Sequence, residues 1–463
     1  MSIPYSGTWE IVVTDSLVTA IHAALLPDKR VIYWHGRYMP VLCGFYTPSN
    51  NAVGWDSALD SWPPPDPIHP DYNGNEAPVI FCGGHTFLAD GSLIIAGGER
   101  TRPYAGYFRG LKYTYRYDGS WTPAGGVDTP HEMADGRWYP SVTRLADGRL
   151  IAMSGYKYLG PPTINDVPEL YDPDENAQGY GWSAYTASAA HKDIPLYPGN
   201  HLIPFGDYAG CILYDLVTWQ GTSYDQAHIF VPNPSSDPPV YWIPVAQNHM
   251  VPLKAGNSVI CTIKPDDTFA RILNIGGDHS STVKMIEIGD GITPEWTNLE
   301  PMMHGRMDAN AVVLPDGNIM VLGSANMMTP ELLITEDPDP HKWEWMELAD
   351  MTVNREYHST ALLMHSGKVW VGGSRVPTMV SGEFEKDMER RIEIYTPYYM
   401  QNATDLANRP VIDSWDDEIA YNNRFDLALS SAKNIDSFVL IGLPSVTHAF
   451  NMNQRNISLS FET

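Results

Sequence analysis

The sequence predicts an all-β protein in which a seven-bladed β-propeller precedes a small β-sandwich. Two observations favour the propeller: a hairpin-forming segment recurs with a period of about 50 residues, and no long helical periodicity accompanies it. A third observation favours the second domain, because the repeat gives way near residue 395 to short alternating strands. The chain has 463 residues, of which 43% are hydrophobic and 38 are glycine. This composition is typical of a turn-rich globular protein.

Each repeat consists of two apolar runs joined by a tight turn and followed by a glycine-rich end. The turn is Asp-Gly or Ser-Gly, at residues 90–91, 147–148, 316–317 and 366–367. Glycine at such a turn is a strong hairpin signal, because it accepts a positive φ. The first two turns are 57 residues apart and the last two are 50 apart, which resembles the kelch period of about 50 residues. We therefore predict a seven-bladed kelch-type propeller over residues 1–395.

Residues 396–463 are predicted to form an Ig-like β-sandwich. Short alternating strands are expected over 424–430, 437–442 and 457–461. A sandwich of this type usually needs about 100 residues, so we expect this one to be short or truncated.

Charge and composition exclude several classes of partner. The formal net charge of −26 repels phosphate backbones, so nucleic-acid binding is not expected. No run of about 18 apolar residues is present, so no membrane span is expected. We expect a monomer that acts on a small molecule.

The cysteines and the N-terminus leave the compartment open. The four cysteines include no C-x-x-C motif and are too few for a disulfide scaffold. No signal peptide is recognisable at the N-terminus. The chain either stays in the cytoplasm or lacks an export signal.

Four short segments, far apart in the chain, carry side chains suited to one metal ion. Three of them lie at the start of a repeat and the fourth lies in the last domain. They contain Cys82, Tyr139, Tyr357, His358 and His448. Equivalent positions of a closed repeat converge on one axis, so we expect these side chains to meet. Imidazole and phenolate ligands suit Cu(II) in a tetragonal site with one open position.

The segments around these residues resemble the copper radical oxidase family, which includes galactose oxidase and glyoxal oxidase. The resemblance covers nearly the whole chain and lies nearer the glyoxal oxidase branch. The motifs that carry it are Arg-Trp-Tyr-Pro at 137–140, Arg-Glu-Tyr-His-Ser at 355–359, Glu-Arg-Arg-Ile-Glu-Ile-Tyr-Thr at 389–396 and Thr-His-Ala-Phe-Asn at 447–451.

The resemblance implies an oxidase that converts a primary alcohol or small aldehyde with O2 into an aldehyde or acid and H2O2. It implies Cu(II) held by Tyr139, Tyr357, His358 and His448. Cys82 would be joined to Tyr139 by a thioether, and the joined pair would be a self-derived radical cofactor. Tyr357 would be the axial ligand and would accept the substrate hydroxyl proton. Members of this family are secreted or lie at the cell surface.

The sequence departs from galactose oxidase at two places. A tryptophan that stacks over the crosslinked tyrosine is replaced by the stretch 155–158, where Tyr156 or Tyr158 is the candidate substitute. The sugar-binding arginine is replaced by Pro198 and Gly199, before Asn200 and His201. The first difference would leave the radical less protected, and the second argues against galactose as substrate.

Two other interpretations of the same residues stay open. The chain is alternatively a non-catalytic kelch-type propeller that binds carbohydrate or protein, or an inactive relative that keeps its ligands. Among the other polar residues, we expect His85 to be structural. His131 and His201 are weaker candidates for the site. Asp308, at the same blade position as Tyr139, is expected at the channel mouth or at a turn.

Overall fold

Seven antiparallel sheets are arranged around a common axis in the computed structural model. In the described residues five of these sheets have four strands, and the sheets of blades 1 and 2 have six and seven. The structure describes residues 6–35, 43–56, 78–100, 109–126, 130–157, 163–215, 217–218, 226–245, 253–375, 388–401, 409–416, 418–420, 423–430 and 435–462.

The first three blades occupy the N-terminal part of the chain. An initial strand, β1, spans Thr8–Val13, and blade 1 consists of β2 (His22–Leu25), β3 (Val31–Trp34), β4 (Cys43–Thr47) and β5 (Ala52–Asp56). Blade 2 and its neighbouring strands comprise β6 (Pro78–Val79), β7 (Gly84–Phe87), β8 (Leu93–Ala96), β9 (Glu99–Arg100), β10 (Arg109–Tyr117), β11 (Trp121–Pro123) and β12 (Glu132–Arg137). Blade 3 consists of β13 (Ser141–Arg144), β14 (Leu150–Met153), β15 (Glu169–Asp172) and β16 (Gly181–Ala184).

Blades 4 to 7 follow in order. Blade 4, with a separate pair β19 and β22, comprises β17 (Asn200–Leu202), β18 (Ile212–Tyr214), β19 (Val217–Thr218), β20 (His228–Phe230), β21 (Trp242–Pro244) and β22 (Leu253–Lys254). Blade 5 consists of β23 (Asn257–Ile260), β24 (Phe269–Ile275), β25 (Val283–Gly289) and β26 (Trp296–Asn298). Blade 6 consists of β27 (Asn310–Val313), β28 (Ile319–Leu322), β29 (Glu331–Ile334) and β30 (Glu344–Glu347). Blade 7 contains β31 (Ser359–Leu363), β32 (Val369–Gly373) and β33 (Ile392–Thr396).

The C-terminal segment forms short antiparallel pairs. Its strands are β34 (Ile412–Trp415), β35 (Leu427–Leu429), β36 (Phe438–Ile441), β37 (Ser445–Thr447), β38 (Phe450–Asn451) and β39 (Asn456–Leu459). Helix is confined, in the described residues, to 3-10 turns at Ser188–Ala190, Gly206–Tyr208, Pro340–Lys342 and Tyr398–Met400. None of these helices is long and apolar enough to cross a membrane. The predicted fold class, a seven-bladed propeller followed by a small Ig-like domain, is confirmed.

Strands from the two ends of the chain complete the first and last blades. β1 pairs with β33 and so becomes the outermost strand of blade 7. β37 pairs with β2, where His22 lies opposite Thr447. The hairpin of β37 and β38 therefore extends blade 1 on its inner side, and the last domain reaches the propeller axis.

The second strands of most blades, counted from the axis, are buried on both faces because neighbouring blades pack against each other. Every residue of β8 and of β28 is buried, which explains their continuous apolar sequences. The blade ends are rich in glycine because the backbones of neighbouring segments approach closely there. A Cβ on Gly97, whose φ is +77°, would overlap the Arg137 carbonyl of the next blade. This close approach of two backbones explains the glycine at position 97.

Buried arginine–glutamate pairs join strands within three blades. The side chains of all six residues are at most 1% exposed, and the N···O distances are 2.8, 2.8 and 3.1 Å. In each pair the arginine precedes the inner strand and the glutamate lies in the third strand. The arginine Nη1 also donates to a carbonyl at the end of the second strand. The pairs are Arg137–Glu169, Arg306–Glu331 and Arg355–Glu393.

We expect Arg306→Leu to lower the free energy of unfolding by about 3–5 kcal/mol, because the substitution leaves Glu331 buried without its cation. Urea unfolding followed by tryptophan fluorescence measures this change. The matched control is Arg424→Leu, since Arg424 forms an ion pair with Glu462 in which the side chains are 88% and 79% exposed. The control should unfold as the parent does. Equal stability of the two variants would contradict the structural role of the buried pair.

Candidate metal centre

Residues with a left-handed backbone precede the inner strands of six blades. A positive φ is uncommon in residues other than glycine and concentrates at functional sites. Here it recurs one to three residues before the strand nearest the axis, where the chain turns into that strand. We call these six the hub residues: Cys82 (φ 59°), Tyr139 (67°), Tyr197 (46°), Ala255 (54°), Asp308 (58°) and His358 (69°).

Backbone hydrogen bonds link hub residues of neighbouring blades. The Tyr139 N–H donates to the Cys82 carbonyl at 2.9 Å, and the Tyr197 N–H donates to the Tyr139 carbonyl at 2.9 Å. The Asp308 N–H donates to the Ala255 carbonyl at 2.7 Å. These bonds fix the hub residues side by side around the axis.

A tight turn from the C-terminal domain brings His448 to the same place. His448 and Ala449 connect β37 to β38 and have φ values of 48° and 69°. Positive φ at both central residues is the geometry of a type I′ hairpin turn. The Asn257 side-chain amide donates to the Ala449 carbonyl and, at 2.9 Å, to the Ala309 carbonyl. The turn is therefore tied to blades 5 and 6 as well as to blade 1.

The five residues predicted from the sequence lie in one cluster. The Oη atoms of Tyr139 and Tyr357 are 2.9 Å apart, and His448 Nε2 is 3.1 Å from Tyr139 Oη. Cys82 Sγ is 3.7 Å from the same His448 nitrogen. The rings of His358 and His448 are nearly perpendicular, with centroids 4.8 Å apart. All are buried except Tyr357, which is partly exposed.

Hydrogen bonding fixes which nitrogen of His448 faces the cluster. The Thr447 hydroxyl donates to the Ile21 carbonyl at 3.1 Å, so it accepts the bond from His448 Nδ1 at 2.7 Å. His448 therefore carries its proton on Nδ1, and Nε2 presents a lone pair toward Tyr139. A partner on the distal nitrogen is the arrangement that orients a metal-binding imidazole.

Burial keeps these groups neutral when no cation is near. Burial, followed by the neighbouring Cys82 side chain, raises the pKa of both Tyr139 and Tyr357 well above the usual value. Burial, followed by the charge of His358, lowers the pKa of His448 well below its usual value. A divalent cation reverses this balance for the phenols, because it stabilises phenolate directly.

The donor set fits a copper ion. Within the described residues, no three His, Cys, Asp or Glu side chains are grouped so as to hold a metal ion. The phenol oxygens of Tyr139 and Tyr357 therefore have to complete any site built on His358 and His448. Two ligands about 2 Å from one ion and at right angles lie about 2.8 Å apart. The observed separations of 2.9 and 3.1 Å are close to this, and mixed nitrogen and oxygen ligands suit Cu(II).

Trp138 stacks on Tyr139, a contact that sequence reasoning missed. Their ring centroids are 3.9 Å apart with an interplanar angle of 15°. Tyr156, one of the two expected substitutes for the stacking tryptophan, lies behind Trp138 at 5.6 Å. Tyr158, the other, lies outside the described residues. The signal was present in the motif Arg-Trp-Tyr-Pro, where Trp138 directly precedes Tyr139, whose φ is 67°.

Tyr197 also lines the cluster and was not predicted. Its ring centroid is 4.6 Å from that of Tyr139 and 5.0 Å from that of His448. Its hydroxyl donates to the Gly83 carbonyl at 3.1 Å. The weak repeat in this part of the chain concealed its equivalence to Tyr139.

The remaining candidates have other surroundings. His201 Nε2 is 2.5 Å from Ser258 Oγ and 3.5 Å from Asp215. His131 contacts Tyr171 and Tyr180, away from the cluster.

Asp308 lies on the accessible side of the cluster. It is partly exposed, and it raises the pKa of the neighbouring Tyr357. Burial, followed by the charge of Glu356, raises the pKa of Asp308 itself to about 7.

Comparisons with known proteins agree with this arrangement. Residues 409–463 match the family model described as "Galactose oxidase-like, Early set domain". The aldehyde oxidase GLOX of Vitis pseudoreticulata is 25% identical, over 98% of this chain and 88% of that protein. The aldehyde oxidase GLOX1 of Arabidopsis thaliana is 24% identical, over 98% of this chain and 77% of that protein.

A solved structure shares the fold. It is a fungal alcohol oxidase of the AA5 family in complex with copper, with a TM-score of 0.73 and 21% identity. The similarity covers 99% of this chain and 90% of the fungal chain. Over nearly its whole length the chain is therefore similar to proteins named aldehyde oxidase, and its fold is that of a copper-containing alcohol oxidase.

Proposed function

We propose that the protein oxidises a primary alcohol or a small aldehyde with dioxygen and releases hydrogen peroxide. The observation that carries this proposal is the cluster of two phenols, two imidazoles and one thiol at the propeller axis. Core packing alone does not explain five such side chains from three blades and a C-terminal hairpin. The relatives named aldehyde oxidase support the same chemistry.

Tyr139, Tyr357, His358 and His448 would hold the copper ion. When bound, copper(II) supplies one of the two electron acceptors that the oxidation needs, together with a binding position for the substrate oxygen. The protein contributes the second acceptor, the proton acceptor and a shielded site.

Tyr357 is the proposed acceptor of the substrate hydroxyl proton. It is the more exposed of the two phenols, so a substrate reaches it from solvent. Burial raises its pKa, and the charge of Asp308 raises it further, so its phenolate is a strong base. Its Oη lies 2.9 Å from that of Tyr139, which places proton acceptance beside the second acceptor.

Tyr139 is the proposed electron-hole carrier. It is buried with Cys82, and in its oxidised form it would take a hydrogen atom from the carbon that bears the substrate oxygen. The substrate loses two protons and two electrons. They leave as the proton that Tyr357 accepts, the hydrogen atom that Tyr139 takes and one further electron. Dioxygen receives the same number and becomes hydrogen peroxide.

Cys82 is the proposed partner of Tyr139 in a thioether. Cys82 Sγ and Tyr139 Oη lie 3.7 and 3.1 Å from the same nitrogen, His448 Nε2, so the two side chains are close. Sulfur on the ring would spread the unpaired electron of oxidised Tyr139. The stacked Trp138 would screen the other part of that ring from solvent.

Small substrates suit the surroundings better than galactose. Pro198 and Gly199 supply no charged side chain at the position where galactose oxidase binds its sugar. His201 is engaged with Ser258 and Asp215. The accessible side is formed by Tyr357, Asp308 and Glu356, whose oxygens accept hydrogen bonds from hydroxyl or hydrated aldehyde groups.

The function is tested by loading the chain with copper in air and measuring peroxide with a panel of primary alcohols and aldehydes. We expect peroxide from at least one compound and none above background for Tyr139→Phe. The intact mass should fall by two hydrogen atoms in the parent and stay unchanged in Cys82→Ser. A non-catalytic binding propeller would bind no copper tightly, and an inactive relative would bind copper without releasing peroxide.

Replacing Trp138 tests the shielding of Tyr139. Aromatic stacking contributes about 0.5–1.5 kcal/mol, so in Trp138→Ala the oxidised form should decay about two- to tenfold faster. The decay is followed by optical absorption after the oxidant is removed. Trp138→Phe should decay nearly as slowly as the parent, and Trp242→Ala, which removes a remote half-buried indole, should not differ from it. Parent-like decay in a folded Trp138→Ala variant would contradict the proposed shielding.

Replacing Thr447 tests the orientation of His448. Loss of a hydrogen-bond partner behind a metal-binding histidine weakens metal affinity by about 10- to 100-fold, and we expect this for Thr447→Val. A competition titration with a copper chelator measures the affinity. Thr360→Val is the matched control, because Thr360 is buried and donates to the Ala20 carbonyl at 3.0 Å without touching His448. Equal copper affinity in both variants would rule out this role for Thr447.

A further inference from the structure

Two fully buried histidines form a hydrogen-bonded chain that ends at Cys82. The Cys82 backbone N–H donates to His22 Nε2 at 3.0 Å, and His22 Nδ1 lies 3.1 Å from His85 Nε2. His85 Nδ1 in turn lies 2.5 Å from Ser445 Oγ. We call His22, His85 and Ser445 the histidine relay.

Only one arrangement of protons satisfies this relay. A backbone N–H can only donate, so His22 Nε2 carries no proton and His22 Nδ1 must donate to His85 Nε2. His85 then carries its proton on Nδ1 and donates to Ser445, whose hydroxyl donates to the His85 carbonyl at 3.1 Å. The reverse direction would leave His22 with no ring proton at all. Both imidazoles are therefore neutral, and each has one defined tautomer.

The relay replaces a backbone bond that blades 3, 4 and 6 make. Tyr139 and Tyr197 each donate their N–H to the carbonyl of the preceding hub residue. Cys82 instead donates its N–H to the His22 side chain from blade 1. Since the Tyr139 N–H binds the Cys82 carbonyl, both peptide groups of Cys82 are fixed while its φ is 59°.

We propose that His22 and His85 are positioning residues that hold Cys82 so that its sulfur can join the Tyr139 ring. This inference rests on the proposed function. The far end of the relay, Ser445, lies in β37, the strand that leads to His448. One network thus positions both the sulfur and the imidazole nitrogen 3.7 Å away from it.

The bond-forming step is an oxidation. The S–H bond of Cys82 and one C–H bond of the Tyr139 ring break, and one C–S bond forms. Two protons and two electrons leave the pair and reduce one dioxygen molecule to hydrogen peroxide. The rate of thioether formation depends on how well the Cys82 sulfur is held against the Tyr139 ring, and the relay would hold it there.

The test is the rate of crosslink formation in the whole chain after copper addition in air, followed by intact mass and gel mobility. His22→Leu removes the acceptor for the Cys82 N–H and is expected to slow the reaction by about tenfold or more. His22→Gln offers a side-chain carbonyl to the same N–H and should recover most of the rate. His201→Leu removes another buried histidine, bonded to Ser258, and should react as the parent does.

The outcomes separate this inference from the function on which it rests. A parent chain that forms no crosslink overturns the proposed function. If the parent forms the crosslink and a folded His22→Leu variant forms it equally fast, only the role of the relay is overturned. If the His22→Leu variant shows no cooperative thermal unfolding and is therefore not folded, the rate of crosslink formation is measured in Ser445→Ala instead. It removes the outer end of the relay, and a rate equal to that of the parent then overturns the inference.

Discussion

The left-handed backbone at the start of the inner strands is the constraint on which the site depends. A residue other than glycine in this conformation costs on the order of 1–3 kcal/mol, so six of them need compensation from their surroundings. The hydrogen bonds from one hub residue to the next supply part of it. Three of these positions hold residues of the proposed metal centre, namely Cys82, Tyr139 and His358.

The buried arginine–glutamate pairs stabilise the chain segments that lead into these left-handed turns. Arg137 lies two residues before Tyr139, and Arg355 lies two before Tyr357. The third pair, Arg306–Glu331, has the same geometry but precedes Asp308, which is not a proposed ligand. The pairs therefore belong to the blade architecture, and the proposed metal centre lies on a support that the repeat already provides. Breaking such a pair leaves a buried charge, so the support tolerates little change.

The sequence was sufficient for the blades and for the five clustered residues, because both depend on local signals. Hairpin turns are encoded by adjacent residues such as Asp90 and Gly91, and closure of the repeat brings equivalent positions together. Contacts that depend on tertiary packing were missed. The stack of Trp138 on Tyr139 requires a left-handed turn that no propensity indicates. His22 appeared only as part of a weak repeat, and its bond to Cys82 joins residues 60 apart.

Pairing of both chain ends couples closure of the propeller to assembly of the centre. β1 completes blade 7, and β37 adds to blade 1, where His22 lies opposite Thr447. His448 therefore reaches the cluster only when the C-terminal hairpin has docked against the first blade. Contacts of such sequence separation form late, because loop closure costs entropy before the contacts compensate for it. A copper ion on this donor set would bind the docked state alone and so would stabilise closure by mass action. His448, the one proposed ligand that comes from the C-terminal hairpin, would thus link metal binding to closure of the ring.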